Sequence, residues 1–464
     1  MIKIYIRLSI VLLFFELYLT LFLFFDQYYG AIRGLLVAGL LIGLIFLRFG
    51  PQKFFYQEAI PREARETVNH LLKIAIILAV TLNIGFVAYT AIHCFKTDKI
   101  PLDVGQTTWR SARLLWKGEN PYGRGAIVDF VCYKVRAEAR RAENIIADIQ
   151  DQEIDAALAL YDRSLNRDLR DKLLPIKNTS NYFNESRITG YKYSPFILDI
   201  TVLFATLAQP VVVVLLNGVM CFVLYWAMSH LLFNISSGPS ASIGILAILL
   251  DRIISWNYLG HTATDVWALA FCSLGVLAYR RGKPLATATL LAIALGCKIF
   301  PSLIFFPLLL KFRSVRPLIV AAGVAFGLYA PWIAWDPMGI FANVFMWPFI
   351  MSKDTTSWTY FSAPQLVSAV RLCGLVAIGV LWLRYITGRE QRLFWTLAIA
   401  NALLLGAGGL LHNNYVPWAS IWIVAAIIES FSLPRQLTAE KSMPAFSNLT
   451  FSKKRGWRLV HQDT

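Results

Sequence analysis

Residues 211–233 decide the fold class; they read VVVVLLNGVMCFVLYWAMSHLLF and contain no Asp, Glu, Lys or Arg. As an α-helix this run extends about 35 Å, enough to cross the roughly 30 Å hydrocarbon core of a bilayer. About eleven apolar runs separated by polar breaks follow one another along the 464 residues. The chain is 57% hydrophobic and 16% charged, with a mean hydropathy of +0.55, which is too apolar for a soluble protein. The sequence therefore predicts an all-α, polytopic integral membrane protein and excludes an outer-membrane barrel, whose strands are short and alternating.

The positions of the basic residues predict which loops face the cytoplasm. Lys3 and Arg7 precede a first span at 8–25, so its amino end is expected inside. Spans at about 35–46 and 71–95 then carry the chain outside at residues 96–101. Four regions follow: N-terminal transmembrane helices at 1–100, an extracytoplasmic loop at 101–193, a transmembrane core at 194–431 and a basic cytoplasmic tail at 432–464. We expect a multi-pass protein of a bacterial inner or plasma membrane.

The net charge of +16 does not indicate a nucleic-acid partner, because the basic residues occupy short connectors between apolar runs. The partner that this pattern predicts is membrane lipid. Residues 124–187 are rich in charge and have apolar positions at helical spacing, which predicts one or two amphipathic helices forming an extracytoplasmic cap. In total we expect about 11–13 helical segments.

Counting the spans exposes two conflicts with the loop charges. The basic connectors at 280–283 and 311–316 both read as cytoplasmic, yet only one apolar segment separates them. We expect a hairpin of two short helices broken at 298–301, because Pro301 removes a helical donor and Lys298 is costly in lipid. A second conflict between 195 and 259 predicts one re-entrant segment there.

Polar residues gather at the predicted outer ends of the helices, which favours a single polar site open to the outside. The residues from 103 to 117 read as a short interfacial helix with a cationic stripe at Arg110, Arg113 and Lys117. Such a stripe suits a lipid-borne phosphate. Asp103 followed by Gln106 is a helix-capping pair, and a carboxylate facing the site is equally available as a general base, so both interpretations stand.

The ordered motifs resemble glycosyltransferase family 87, polyprenyl-phosphate-sugar-dependent enzymes of the GT-C superfamily. The motifs are the Asp103 helix ending in Gly-Glu-Asn-Pro-Tyr at 118–122, Tyr-Lys-Tyr-Ser-Pro at 191–195, Gly-His at 260–261, Lys-Ile-Phe-Pro at 298–301 and His-Asn-Asn-Tyr at 412–415. The resemblance implies a GT-C-like fold that transfers a sugar, typically mannose, from a polyprenyl-phosphate donor to a glycolipid or glycan acceptor on the non-cytoplasmic face. It also implies that Asp103 is the base. The chain departs from the family pattern at Gly260-His261, at Ser194-Pro195 and in the long 124–187 insertion.

The predicted site residues divide by role. Asp103 would take the acceptor proton, and the donor phosphate would be bound by Lys298, Arg110, Arg113 and His261. Direct attack inverts the anomeric carbon. The predicted substrate-binding residues are Gln106, Asn120, Tyr122, Tyr191, Lys192, Tyr193, Asp265, His412, Asn413, Asn414 and Tyr415.

Non-catalytic interpretations remain open for several of these residues. Lys298 would simply extend toward the membrane surface, the tyrosines and amides would anchor helices at the interface, and Asp265 would pair with a neighbouring helix. No His or carboxylate cluster has metal-ligand spacing, so we expect neither a metal nor a cofactor beyond the donor substrate. The alternative functions are a transporter or lipid flippase, which predicts internal repeats and paired broken helices, and a membrane scaffold without clustered ionisable groups.

Overall fold

A computed structural model describes the backbone of most predicted membrane segments. The described residues are 2–24, 38–43, 62–97, 100, 103–118, 120–122, 191, 193–206, 210–236, 238–340, 344–345, 364–408 and 415–440. Within these ranges every regular element is a helix. The 124–187 cap, the tail beyond residue 440 and half of the predicted second span at 35–46 lie outside the described residues.

The helices are numbered here in chain order. They are α1 (Ile2–Phe24), α2 (Arg62–Thr97), α3 (Asp103–Trp116), α4 (Pro195–Val202), α5 (Val211–Ile235), α6 (Pro239–Leu250), α7 (Arg252–Ile254) with a π-helical turn (Ser255–Gly260), α8 (Asp265–Arg280), α9 (Pro284–Cys297), α10 (Ile299–Leu303), α11 (Pro307–Leu310), α12 (Arg316–Trp335), α13 (Pro337–Ile340), α14 (Pro364–Ile386), α15 (Leu393–Gly408) and α16 (Pro417–Glu440).

Five helical segments of the described part are long and apolar enough to cross a membrane. They are the larger part of α2, then α5, the segment Pro239–Gly260, α12 and most of α14. The uncharged run at 211–233 forms one uninterrupted helix, α5. Helix α2 leaves Leu71, Ile74, Ile77 and Leu82 between 57% and 68% exposed, which suits contact with lipid rather than water. These helices confirm the prediction of an all-α membrane protein.

The buried core includes residues of α5, α8, α15 and α16; α8 packs on α5, and α16 packs on both α5 and α15. Trp418 and Trp422 of α16 are at most 1% exposed. The ring of Trp422 stacks on Phe394 at a centroid distance of 6.4 Å and lies 5.4 Å from Phe305. Large aromatic rings in close contact fix how helices from distant parts of the chain pack.

The predicted hairpin between the two basic connectors is confirmed. Helix α9 ends at Cys297, Lys298 is extended, and α10 and α11 return the chain toward its starting side. The Phe312 ring lies 5.4 Å from Tyr279, at the end of α8 from which the hairpin departs. Lys311 donates a 2.9 Å hydrogen bond to the Tyr385 carbonyl near the end of α14. The turns at 280–283, 311–316 and 384–392 therefore share one end of the bundle, called here the basic end.

The predicted re-entrant segment is α4, which has only eight residues and cannot cross a bilayer. Phe204, just after α4, packs in a cluster with Val213 of α5 and Trp109 of α3, so the chain enters and leaves at the same end. Helix α3 begins there at Asp103, and this end is called here the Asp103 end.

The apolar run is also interrupted at Asp251, but the chain does not turn back there. The segment Pro239–Gly260 continues across the membrane. The Asp251 carboxylate accepts hydrogen bonds from the Ile253 and Ile254 amides at 2.8 and 3.2 Å, and from the Ser420 hydroxyl at 3.1 Å. It thus caps the new helical turn inside the membrane segment, where unpaired amides would be costly.

Candidate functional site

Two segments that do not cross the membrane meet inside the bundle. Helix α4 enters from the Asp103 end and the α9–α10 hairpin from the basic end. A Cβ on Gly296, near the hairpin tip, would lie 3.3 Å from the Cβ of Phe196 in α4. Glycine thus permits the close approach of the two segments. The contact places the hairpin tip, and with it Lys298, directly against α4.

Lys298 at the hairpin tip joins three distant parts of the chain. Its ammonium pairs with the Asp265 carboxylate at the start of α8, and its Nζ lies 4.0 Å from the centroid of the Tyr415 ring. The Lys298 side chain is 18% exposed and that of Asp265 only 2%. A buried charge needs such partners, because desolvation without them costs several kcal/mol. The predicted pairing of Asp265 with a neighbouring helix is confirmed, and its partner is the predicted phosphate ligand.

The segment that leads into α8 connects this ion pair with the first turn of α3. Thr262 is fully buried and has a φ of +57°. A Cβ on Gly105 would lie 2.7 Å from its hydroxyl oxygen. His261 packs its ring 4.7 Å from Trp256. The helix that begins at Asp103 therefore lies against residues immediately before Asp265.

A cluster of tyrosines ties α3 to the segment before α4. The Thr108 and Tyr191 hydroxyls are 3.3 Å apart, and the Tyr122 hydroxyl donates a 2.9 Å hydrogen bond to the Tyr193 carbonyl. Tyr122 and Tyr191 are at most 1% exposed, and burial raises the pKa of both above the ordinary value, so both hydroxyls stay protonated. Because these two rings lie inside the protein, we assign them to holding the loops together rather than to substrate contact.

The remaining predicted residues are only partly described. Arg113 is exposed on α3, and Asn120 donates a 2.8 Å hydrogen bond to Asp336. The backbones of Asp103, Gln106 and Arg110 belong to α3, but their side chains are outside the described part. The predicted residues Lys192, His412, Asn413 and Asn414 lie outside the described residues.

Asp199 is a further acidic residue of this end, and the sequence interpretation missed it. It lies on α4, is half-buried, and accepts a hydrogen bond from the Trp332 side chain of α12. Burial raises its pKa to about 6, and the hydrogen bond from Trp332 opposes this shift. An acid within the otherwise apolar stretch PFILDITV was a signal for a polar surrounding.

Among the described residues, no three His, Cys, Asp or Glu side chains form a group able to hold a metal ion. No known family model, curated protein or solved structure matches the chain.

Proposed function

We propose that the chain is a membrane glycosyltransferase that moves a sugar from a polyprenyl-phosphate donor to a glycolipid or glycan acceptor at the Asp103 end. The observation that carries the proposal is Lys298, a cation at a helix break inside the bundle, paired with Asp265 beside the helix that begins at Asp103. A fixed cation near a carboxylate is what displacement of a phosphate by a hydroxyl requires. The ordered motifs that resemble glycosyltransferase family 87 add support.

The proposed reaction is a single displacement. The acceptor hydroxyl oxygen attacks the anomeric carbon, and its proton passes to the Asp103 carboxylate. The bond between the anomeric carbon and the phosphate oxygen breaks, and polyprenyl phosphate leaves with the bonding electron pair. Attack opposite the leaving group inverts the anomeric carbon.

Lys298 would bind the departing phosphate. An ammonium group has three N–H donors, and hydrogen bonds to Asp265 and Tyr415 leave one for a phosphate oxygen. Because Asp265 offsets the lysine charge, further positive charge is needed for a phosphate. Arg113 is exposed on α3, and Arg110 precedes it by three residues on the same helix. His261 would be an additional donor.

A second candidate function, transport or flipping of a lipid, has one specific observation in its favour. The re-entrant α4 and the α9–α10 hairpin enter from opposite ends and meet at a polar residue, and broken helices of this kind surround transporter sites. The two functions differ in a measurable product. A transferase releases free polyprenyl phosphate, whereas a transporter moves its substrate without breaking a covalent bond.

The test uses the full chain in vesicles supplied with labelled polyprenyl-phosphate sugars and a mixture of glycolipid acceptors. We expect Asp103→Asn to lower turnover by about 10²–10⁴-fold while the protein stays folded and inserted. Lys298→Ala should weaken donor binding. The control for Asp103→Asn is Glu66→Gln, which changes an exposed carboxylate near the start of α2, at the end away from Asp103. The control for Lys298→Ala is Lys311→Ala, which removes a lysine near the Tyr385 ring at the basic end.

Both controls should retain turnover. Full turnover in Asp103→Asn would exclude the base role, and unchanged donor affinity in Lys298→Ala would exclude the phosphate contact. Movement of label across the bilayer without release of polyprenyl phosphate would establish the transporter instead.

A further inference from the structure

A second polar group lies at the Asp103 end, where the loop after α3 meets α4 and the end of α12. The Trp332 side chain donates a hydrogen bond to Asp199, and the Trp335 ring stacks on Trp332 at a centroid distance of 5.9 Å and an angle of 20°. Asn120 donates a 2.8 Å hydrogen bond to Asp336, which follows Trp335 directly. Three separate segments thus hold two carboxylates and an amide beside a pair of indole rings.

The residues of this group differ in how much of each side chain is exposed. Trp332 is 6% exposed and lies inside the protein, whereas Trp335 is 47% exposed and has part of its indole ring at the surface. Asp199, Asn120 and Asp336 are half-buried. A molecule that packs on Trp335 can therefore reach side-chain oxygens at its edges.

The chemistry of this surface suits a sugar. A hexose has an apolar C–H face that packs on an indole ring, and hydroxyls that donate hydrogen bonds to carboxylate oxygens. An ionised carboxylate has about four acceptor positions, so the hydrogen bond from Trp332 leaves most of those on Asp199 for hydroxyls. The Asp199 carboxylate also disfavours a lipid phosphate here, because like charges repel. A tryptophan that only anchors the helix in the interface needs no carboxylates beside it.

The distance from Asp103 determines which sugar unit would bind. Asn120 follows the last turn of α3, and a 14-residue helix is about 20 Å long. A single sugar ring does not extend from the first turn of α3 to this group. A hexose bound here would belong to an acceptor that carries several linked sugars.

We propose that Asp199, Trp335 and the Asn120–Asp336 pair form a distal subsite for a hexose unit of an oligosaccharide acceptor. This assignment rests on the proposed glycosyl transfer and narrows its acceptor to a glycan of more than one sugar. Trp335 packs against the sugar ring, and the two carboxylates accept hydrogen bonds from its hydroxyls.

Binding is tested first, without donor, by saturation-transfer NMR on the purified full chain in lipid nanodiscs. The probes are methyl α-mannoside, mannobiose and mannotriose, with the corresponding glucosides as a second series. The variants are Trp335→Ala and Asp199→Asn, and the matched control is Trp116→Ala, a 59% exposed tryptophan on α3 at the same end. Trp335 and Trp116 are 47% and 59% exposed, so neither truncation opens the core.

We expect the trisaccharide to bind the unaltered chain, and Trp335→Ala and Asp199→Asn each to weaken this binding by about tenfold, equivalent to about 1.4 kcal/mol. Trp116→Ala should leave it unchanged. Absence of saccharide binding, or equal losses in both tryptophan variants, would overturn the subsite and leave Trp335 as an interface anchor.

Turnover separates failure of the subsite from failure of the proposed function. With donor present, Trp335→Ala should raise the KM for trisaccharide acceptors without changing that for single sugars. If donor is consumed and Trp335→Ala has no effect on any acceptor, the subsite is refuted while transfer stands. If trisaccharide binds through Trp335 but no donor is consumed, the glycosyltransferase proposal fails while the sugar site is retained.

Discussion

Removing one member of the Lys298–Asp265 pair should destabilise the protein more than removing both. The side chains of Lys298 and Asp265 are 18% and 2% exposed, so water compensates little of either charge. Breaking a buried pair from one side typically costs about 3–5 kcal/mol, because the other charge is left unpaired. Replacing both members by uncharged residues of similar volume is far less costly.

The exposures determine the expected order. Asp265→Asn leaves a lysine that is partly exposed and still lies over the Tyr415 ring, so we expect a loss of about 2–3 kcal/mol. Lys298→Met leaves the more deeply buried carboxylate, for which we expect about 3–4 kcal/mol. The double variant should lose about 1–2 kcal/mol, which makes the coupling between the two sites about 4 kcal/mol.

Buried thiols provide the assay. Cys94, Cys221 and Cys272 are fully buried, so a thiol reagent modifies them only when the surrounding helices open. Unfolding is titrated with a denaturing detergent at fixed temperature, and Arg313→Gln at the basic end serves as the exposed control, with a change within about 0.5 kcal/mol. If the losses of the two single variants simply add in the double variant, the two side chains do not form an energetically coupled pair.

Three further changes test other parts of the structure. The pKa of Asp199 is raised to about 6 in the folded protein, so its carboxyl stabilises the fold at low pH and loses this contribution as pH rises through 6. Stability should therefore fall between about pH 4 and 6, and Asp199→Asn should reduce this fall. Melting temperatures measured across this pH range test the difference. Gly374→Ala should destabilise, because its Cβ would lie 2.5 Å from that of Ala407, whereas Gly379→Ala, with open space around it, should be neutral or slightly stabilising in the same thiol assay. Asn83→Leu should cost about 1–3 kcal/mol in that assay, because the Asn83 amide donates to the Leu249 carbonyl and accepts from the Tyr225 hydroxyl.

The membrane helices follow from local sequence. The uncharged run at 211–233 produced α5, which ends only two residues beyond it, because hydrophobicity along a stretch of about 20 residues decides a span. Helix α2 begins at Arg62, well before the predicted apolar run, because charged residues with good helix propensity extend a helix beyond the hydrocarbon region. The break at Lys298 also followed from local chemistry.

Long-range pairings at the site had no such local signal. The partner of Lys298 is Asp265, 33 residues earlier and on another helix, and nothing in the pattern of either segment specifies that contact. Asp199 did have a local signal, as an acid in an apolar stretch, but its partners come from α12 and from the loop after α3. Tertiary packing decides which polar side chains share a site, and spacing along the chain does not encode it.

Lys298 lies where α4 and the α9–α10 hairpin, the two segments that do not cross the membrane, meet. Irregular backbone is tolerated at membrane depth only where protein covers it, so the extended residue at the hairpin tip needs α4 against it and the start of α8 beside it. Those same contacts bring a cation, a carboxylate and the first turn of α3 together. The α9–α10 hairpin enters and leaves at the basic end, so the rest of the membrane depth beyond its tip must be filled by other segments. Helix α4, which enters from the Asp103 end, fills part of it. The two segments that do not cross the membrane thus enclose a polar centre, and the proposed reaction on a lipid phosphate would take place there.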